Sequence, residues 1–379
     1  MRTLANFSVE NQTVALRVDL NVPIQEGQVL DDTRITAILP TLKYLLAQNA
    51  KIILISHFGR PEAGCFDPKF SLQPIAKKLR ELLNLEVPLI HSLADVNFQS
   101  PISLLENIRF LVGELENNLD LAKSLGAMAE VYVFDAFGAS HREHASTYGA
   151  IQHAAVSCAG LLLEKETTAL SRASNSLNKP VLSIVGGSKV SSKLDVIKNL
   201  SRFSDNIIPG GGITNTFLKA KGFNIGNSLF EDSMLLEAKN LLSTVNIYLP
   251  SKVVVGSNIN STESRVCDVS SVQDHEMILD QVVDDQVLAL ISQAKQIIWN
   301  GPIGVFEKNA FAHGTQQLAE AIAKSSAFSL AGGGETLLAI KMFINKDDIS
   351  YCSTGGGAFL EFMEGKELPS LSALGFKLK

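Results

Sequence analysis

The chain has 379 residues, with 33 Lys and Arg against 39 Asp and Glu and a formal net charge of −6. That balance excludes a protein that coats nucleic acid, and any anionic substrate must be met by positive groups gathered locally. Apolar residues make up 46% and charged residues 19%, enough for the cores of two domains, and no segment has the composition of a disordered tail.

The cysteines, Cys65, Cys158, Cys267 and Cys352, are far apart and form no CxxC pair. They read as free thiols of a reducing, cytoplasmic compartment. Met1 to Asn6 carries no apolar signal core. The uncharged stretch 146–163 contains Gln152, His153, Ser157 and two glycines. It therefore reads as a core helix with its connections, not as a membrane span.

In chain order, short β-rich apolar runs alternate with segments of helical period. Strands are predicted at 13–18, 51–56, 131–134, 181–185, 207–208, 247–249, 296–299, 328–331 and 349–353. Helices are predicted at 36–48, 72–83, 191–203, 234–242 and 315–324. Buried strands that read as unbroken apolar runs, each followed by a helix, imply parallel sheets covered on both faces. A helical pattern from 160 to 172 runs into the polar stretch 173–180, and Pro180 precedes a new strand. The expected fold is α/β, with two doubly wound, Rossmann-like parallel-sheet domains joined by a hinge helix. Their bounds are 1–158, a hinge at 159–180, and 181–365.

In the first domain, strand 13–18 ends in Asp19-Leu20-Asn21-Val22-Pro23. Ligands of open parallel sheets bind beyond the carboxyl ends of strands, so Asp19 and Asn21 could hold substrate hydroxyls, or could simply stabilise a turn. Strand 51–56 ends in His57-Phe58-Gly59-Arg60-Pro61, and strand 131–134 in Asp135-Ala136-Phe137-Gly138-Ala139-Ser140-His141-Arg142. With Arg34 and Arg109, four arginines fall at strand ends or loops of this half. One arginine is usually a solvated charge. A cluster repels itself unless an anion sits within it, and guanidinium forks suit phosphate and carboxylate. The reading is a basic pocket for a phosphorylated acid.

In the second domain, strand 181–185 runs into Gly186-Gly187-Ser188-Lys189-Val190-Ser191-Ser192-Lys193. Placed on one helix, Lys189 and Lys193 would share a face near its start, where backbone N–H groups also favour an anion. The spacing is not that of a Walker A loop. Glycine runs at 210–212, 332–334 and 355–357 follow other strands, which fits backbone approaching a nucleotide, although glycines also make plain tight turns. No GxGxxG follows a first strand, which weighs against a nicotinamide-dependent dehydrogenase. Glu335 and Thr336 open a helix, and that carboxylate could hold Mg²⁺ or could answer the helix dipole. In Trp299-Asn300-Gly301-Pro302-Ile303-Gly304-Val305-Phe306-Glu307, the functional reading puts Glu307 on ribose hydroxyls and the alternative is an aromatic-packed loop.

These stretches, together with 17–23, 210–218, 332–336 and 353–357, resemble the phosphoglycerate kinases in order along nearly the whole chain. The resemblance implies reversible phosphoryl transfer between 1,3-bisphosphoglycerate and ADP, giving 3-phosphoglycerate and ATP in glycolysis. It implies that Asp19, Leu20, Asn21, Arg34, His57, Phe58, Gly59, Arg60, Arg109 and Arg142 bind 3-phosphoglycerate. It further implies that Gly187, Lys189, Lys193, Gly211, Asn300, Glu307, Gly333, Gly334, Glu335 and Thr336 bind the nucleotide. Arg34, Lys189 and Lys193 would be catalytic, and Glu335 would hold Mg²⁺ with ATP or ADP. A monomer is the family expectation, as is a tail, 366–379, that returns to the first domain. Glu335 stands where the family usually has Asp, and Phe134 where it often has Asn. An acceptor carboxylate is already ionised, so no general base is required and transfer would proceed in line after hinge closure. The alternative from another class is a nucleotide-binding protein without turnover.

Overall fold

The buried apolar runs become the inner strands of two parallel sheets. The computed structural model describes residues 1–173 and 178–377. By internal contacts the chain falls into two units, Met1–Thr168 with Glu367–Lys379, and Ala169–Lys366. Residues 174–177 of the polar stretch and 378–379 of the tail lie outside the described residues.

The first unit holds β1 (Thr13–Val18), a hairpin of β2 (Ile24–Gln25) and β3 (Gln28–Val29), β4 (Lys51–Ile55), β5 (Leu89–Ile90), β6 (Ile102–Leu105), β7 (Val131–Asp135) and β8 (Ser157–Ala159). Its sheet runs β5-β6-β4-β1-β7-β8, and every pairing in it is parallel. Leu16 sits between Leu54 and Val133 in register. These join Leu42, Ile75 and Leu104 in one core, each side chain gaining about 1.5–3 kcal/mol over exposure. The helix predicted at 36–48 is instead two, Thr33–Ala37 and Leu39–Ala47. Pro40 explains the break, because it lacks an N–H and fits only a first helical turn. The stretch 146–163 is likewise not one helix. It is a π-turn Ala145–Gly149, a short helix Ala150–His153, the edge strand β8 and the start of Leu161–Ala173. Gly160 lets the chain pass close to Asp135 there, since a Cβ on it would lie 2.2 Å from Asp135 Cγ. Helix Pro369–Ala373 packs in this unit, with Ser370 N–H donating to Ser140 O at 3.1 Å.

The second unit holds β9 (Val181–Gly186), β10 (Asn206–Gly210), β11 (Lys252–Gly256), β12 (Arg265–Asp268), β13 (Met277–Gln281), β14 (Gln296–Asn300), β15 (Phe328–Ala331) and β16 (Tyr351–Cys352). Its main sheet, β10-β9-β14-β15-β16, is parallel throughout. Trp299 is in its core with Ile184, Phe306 and Leu318. A second sheet, β12-β11-β13, is antiparallel and was not foreseen. β12 buries only Cys267 of its four residues, so it carries no apolar run to read. Segment 247–249 forms only a bridge from Ile247 to Ile207.

Candidate functional site

Four neighbouring strands of the first sheet, β6, β4, β1 and β7, end on the same side and deliver the predicted cations. Arg109 follows β6, His57 and Arg60 follow β4, Asp19 and Asn21 follow β1, and Arg142 follows β7. Arg34 comes from the helix Thr33–Ala37 and donates to Asp19 Oδ2 at 2.9 Å and to Asn21 O at 3.1 Å. Asn21 Oδ1 accepts from Gly59 N–H at 3.0 Å. Arg109 donates to the Gly59 carbonyl. Gly59 has φ +58°, and a Cβ there would lie 2.4 Å from the Phe70 ring, so only glycine makes this turn. Arg142 Nη1 lies 3.1 Å from His57 Nε2.

The cations depress one another. Burial, then Arg142 and Arg17, bring the Arg109 pKa down to about 10. Burial, followed by Arg17, Arg109, Arg142 and Arg34, holds His57 well below its usual value, so its imidazole is neutral at pH 7. Arg60 is exposed and acts on the charges of Arg109 and Arg142. Leu20 is a core residue whose N–H donates to Ser56 Oγ at 2.9 Å. The backbone of Phe58 is bonded both ways to Asn107, at 3.1 and 2.7 Å. Neither side chain reaches the cation cluster among the contacts described.

Sequence reasoning missed the layer beneath. Arg17, Glu114 and Ser146 are each 1% exposed or less. Arg17 Nε donates to Ser146 Oγ at 2.9 Å and Arg17 Nη2 lies 3.2 Å from His57 Nδ1. Ser146 Oγ and N–H donate to the two Glu114 carboxylate oxygens at 2.6 and 2.9 Å. An Arg inside the apolar run 13–18 was the available signal, since buried arginines need partners.

In the second unit, Lys193 is the cap residue of the helix Leu194–Leu200 and Lys189 lies outside it, exposed. The two lysines therefore do not share a helix face, contrary to the sequence reading. The chain from 187 to 193 is turn and bend, because helical hydrogen bonding begins only with Ile197 N–H to Lys193 O. Lys193 is half-buried, and desolvation lowers its pKa against the opposing pull of Glu335 and Glu364. Its Nζ donates to Asn300 Oδ1 at 2.5 Å, and Asn300 Nδ2 donates to Gly332 O at 2.8 Å. Thr336 Oγ1 accepts from Gly301 N–H at 2.7 Å. The buried Asn300 thus ties Lys193 to the turn after β15.

Several of the glycines serve packing between turns. A Cβ on Gly186 would sit 2.0 Å from the Pro302 carbonyl oxygen, one on Gly210 2.2 Å from the same atom, and one on Gly212 2.2 Å from Ser188 O. The turns after β9, β10 and β14 therefore meet backbone to backbone. Gly334 differs, for its Cβ would meet nothing within 4 Å, and Gly333 (φ +95°) would approach only Asn300 and Thr336. Beside these turns lies a cavity of about 300 Å³ lined by Gly187, Gly211, Leu229, Ile259, Leu279, Pro302, Val305, Glu307 and Glu335. Apolar walls with acidic side chains at the border suit a base and a ribose. Among the described residues no group of three or more His, Cys, Asp or Glu could hold a metal alone. Glu335, exposed in the first turn of Gly334–Phe343, offers a single carboxylate. That fits Mg²⁺, which takes one or two carboxylates and otherwise water and substrate phosphate.

A family model described as phosphoglycerate kinase matches residues 4–366. The phosphoglycerate kinase of Francisella tularensis subsp. holarctica is 45% identical over 382 residues, covering 98% of this chain and 97% of that protein. Among solved structures, that of phosphoglycerate kinase from Coxiella burnetii is 44% identical with a TM-score of 0.94, covering 98% of each chain. That of the Pyrococcus horikoshii OT3 phosphoglycerate kinase is 32% identical with a TM-score of 0.81, covering 99% of this chain and 98% of the other.

Proposed function

The chain belongs to the phosphoglycerate kinase family, and on that premise we propose that it transfers a phosphoryl group reversibly between 1,3-bisphosphoglycerate and ADP, giving 3-phosphoglycerate and ATP. The observation that carries the reading of the acid side is the cation cluster at the ends of four neighbouring strands, with Asp19 as the carboxylate paired to it. Arg34, His57, Arg60, Arg109 and Arg142 hold the phosphorylated acid, and Asp19 and Asn21 orient its hydroxyl and the Arg34 fork.

The nucleotide base lies in the apolar cavity with Glu307 on the ribose. The phosphates lie along Gly333, Gly334 and Thr336, at a helix start where free N–H groups accept negative charge. Glu335 would hold Mg²⁺, and the ion when bound would neutralise phosphate charge. Lys193, half-desolvated and aimed by Asn300, meets the moving group, with Arg34 from the acid side and Lys189 in a supporting role.

The acceptor carboxylate is ionised at neutral pH, so no residue needs to remove a proton. The neutral His57 acts as a hydrogen-bond donor and not as a base. In-line transfer requires an oxygen of the acid's carboxylate to reach the terminal phosphorus of the nucleotide, and bending at a hinge is the movement proposed to bring them together. The protein acts as a monomer in the cytoplasm, and among the described residues no helix is long and apolar enough to cross a membrane.

A coupled assay with ATP and 3-phosphoglycerate tests the reading. Turnover with both substrates supports it, and nucleotide binding without turnover leaves a binding protein. Small-angle scattering with both ligands is expected to show compaction, and an unchanged radius of gyration contradicts bending.

A further inference from the structure

His57 is 2% exposed, and each of its ring nitrogens faces an arginine. Nδ1 is 3.2 Å from Arg17 Nη2 and Nε2 is 3.1 Å from Arg142 Nη1. Guanidinium only donates, whereas a neutral imidazole has one acceptor nitrogen and one N–H. Only one of the two contacts can therefore be a hydrogen bond. The other sets two donors against each other.

The two arginines differ in freedom. Arg17 is 1% exposed and held at three nitrogens, by Ser146 Oγ, the Val18 carbonyl and His57. Ser146 Oγ can accept from Arg17 because its own proton goes to Glu114 Oε1 at 2.6 Å. The Glu114 carboxylate is fixed by a second bond, from Ser146 N–H at 2.9 Å. Arg142 is half-buried, and its guanidinium makes only the His57 contact among the hydrogen bonds described. The fixed partner decides the tautomer.

We infer that Glu114 and Ser146 are positioning residues, which lock Arg17 as donor to Nδ1 and so hold His57 as the neutral Nε2–H tautomer. The Nε2–H and the Arg142 fork are then two convergent donors 3.1 Å apart. An acidic oxygen placed between them satisfies both, so the site is set for an anion before one arrives, and that oxygen belongs to the acid substrate. The last step rests on the substrate assignment above, whereas the tautomer does not.

Two-bond proton–nitrogen spectra of the full-length, ligand-free chain at pH 7 read the tautomer directly. The expected pattern has Nε2 protonated and Nδ1 bare. A protonated Nδ1 or an imidazolium overturns the inference. Ser146→Ala should shift His57 toward a mixture of tautomers and raise KM for 3-phosphoglycerate about tenfold, the scale of one charge-assisted hydrogen bond. KM for ATP should stay within about twofold of the parent, a tenfold change being equivalent to 1.4 kcal/mol. Glu114→Gln keeps the volume and should act in the same direction. It carries the test if Ser146→Ala fails to fold. A variant that is folded with the parent's spectrum and the parent's KM overturns the relay. If the parent does not turn over 3-phosphoglycerate at all, the substrate assignment fails while the spectra still decide the tautomer.

Discussion

The two units present different groups at their candidate sites. In the first, side chains carry the site. Arg60, Arg109, Arg142, His57 and two short polar residues follow strand ends, Arg34 joins them from a helix, and the buried Arg17, Glu114 and Ser146 lie beneath. In the second, backbone dominates. Glycine turns pack on one another, helix starts lie beside the cavity, and one half-buried lysine is tied down by Asn300. Cations suit an acid that must be fixed at several oxygens. Backbone N–H groups and apolar walls suit a nucleotide, which offers a chain of phosphates and a flat base.

The largest expected effect comes from breaking the backbone arrangement. Gly186→Ala drives a Cβ to 2.0 Å from the Pro302 carbonyl oxygen. Neither turn can give way without moving the other, so a loss of about 3 kcal/mol or more is expected in urea unfolding. Next is Lys193→Ala. It should lower kcat about a hundredfold, near 3 kcal/mol of transition-state stabilisation, with little change in stability. Turnover near the parent's would remove Lys193 from the mechanism.

The third test compares buried carboxylates. Burial raises the pKa of both, that of Glu114 against the opposing pull of Arg17, Ser146 and Arg109, and that of Asp280, held only by backbone N–H groups, to about 7 from the usual 3.8. Its contribution to stability is therefore full below pH 3.8 and is lost as pH rises through about 7. Asp280→Asn should flatten that part of the stability–pH curve and gain at least about 1 kcal/mol at pH 8, one pKa unit's worth. An unchanged curve refutes the assignment. The smallest effect is Gly334→Ala. Its Cβ meets nothing within 4 Å, so stability should hold within about 0.5 kcal/mol. Only KM for ATP should rise, severalfold, as the methyl obstructs the phosphates.

The same contrast explains what the sequence disclosed. Strand-end residues such as His57 and Arg60 stand near Gly59 and Pro61, and their chemistry was visible at once. Strands 13–18 and 328–331 were legible because both faces are buried. Arg17 was passed over because a charge within an apolar run shows its role only when Ser146, far along the chain, is brought beside it. β12 was missed because it is largely exposed. Lys189 was misplaced because the residues before Leu194 form turns whose glycine neighbours resemble a helix start. Gly186, Gly210 and Gly212 also serve contacts between turns, which no single-chain pattern reveals.

The central claim is that one substrate is held by side-chain cations and the other by bare backbone. A crystal structure with 3-phosphoglycerate and a non-hydrolysable ATP analogue tests it most directly. The account expects the acid among Arg34, His57, Arg109 and Arg142, and the nucleotide phosphates along Gly333 and Gly334 within reach of Lys193. Either ligand lodged elsewhere, or an acid held mainly by backbone N–H groups, would contradict it.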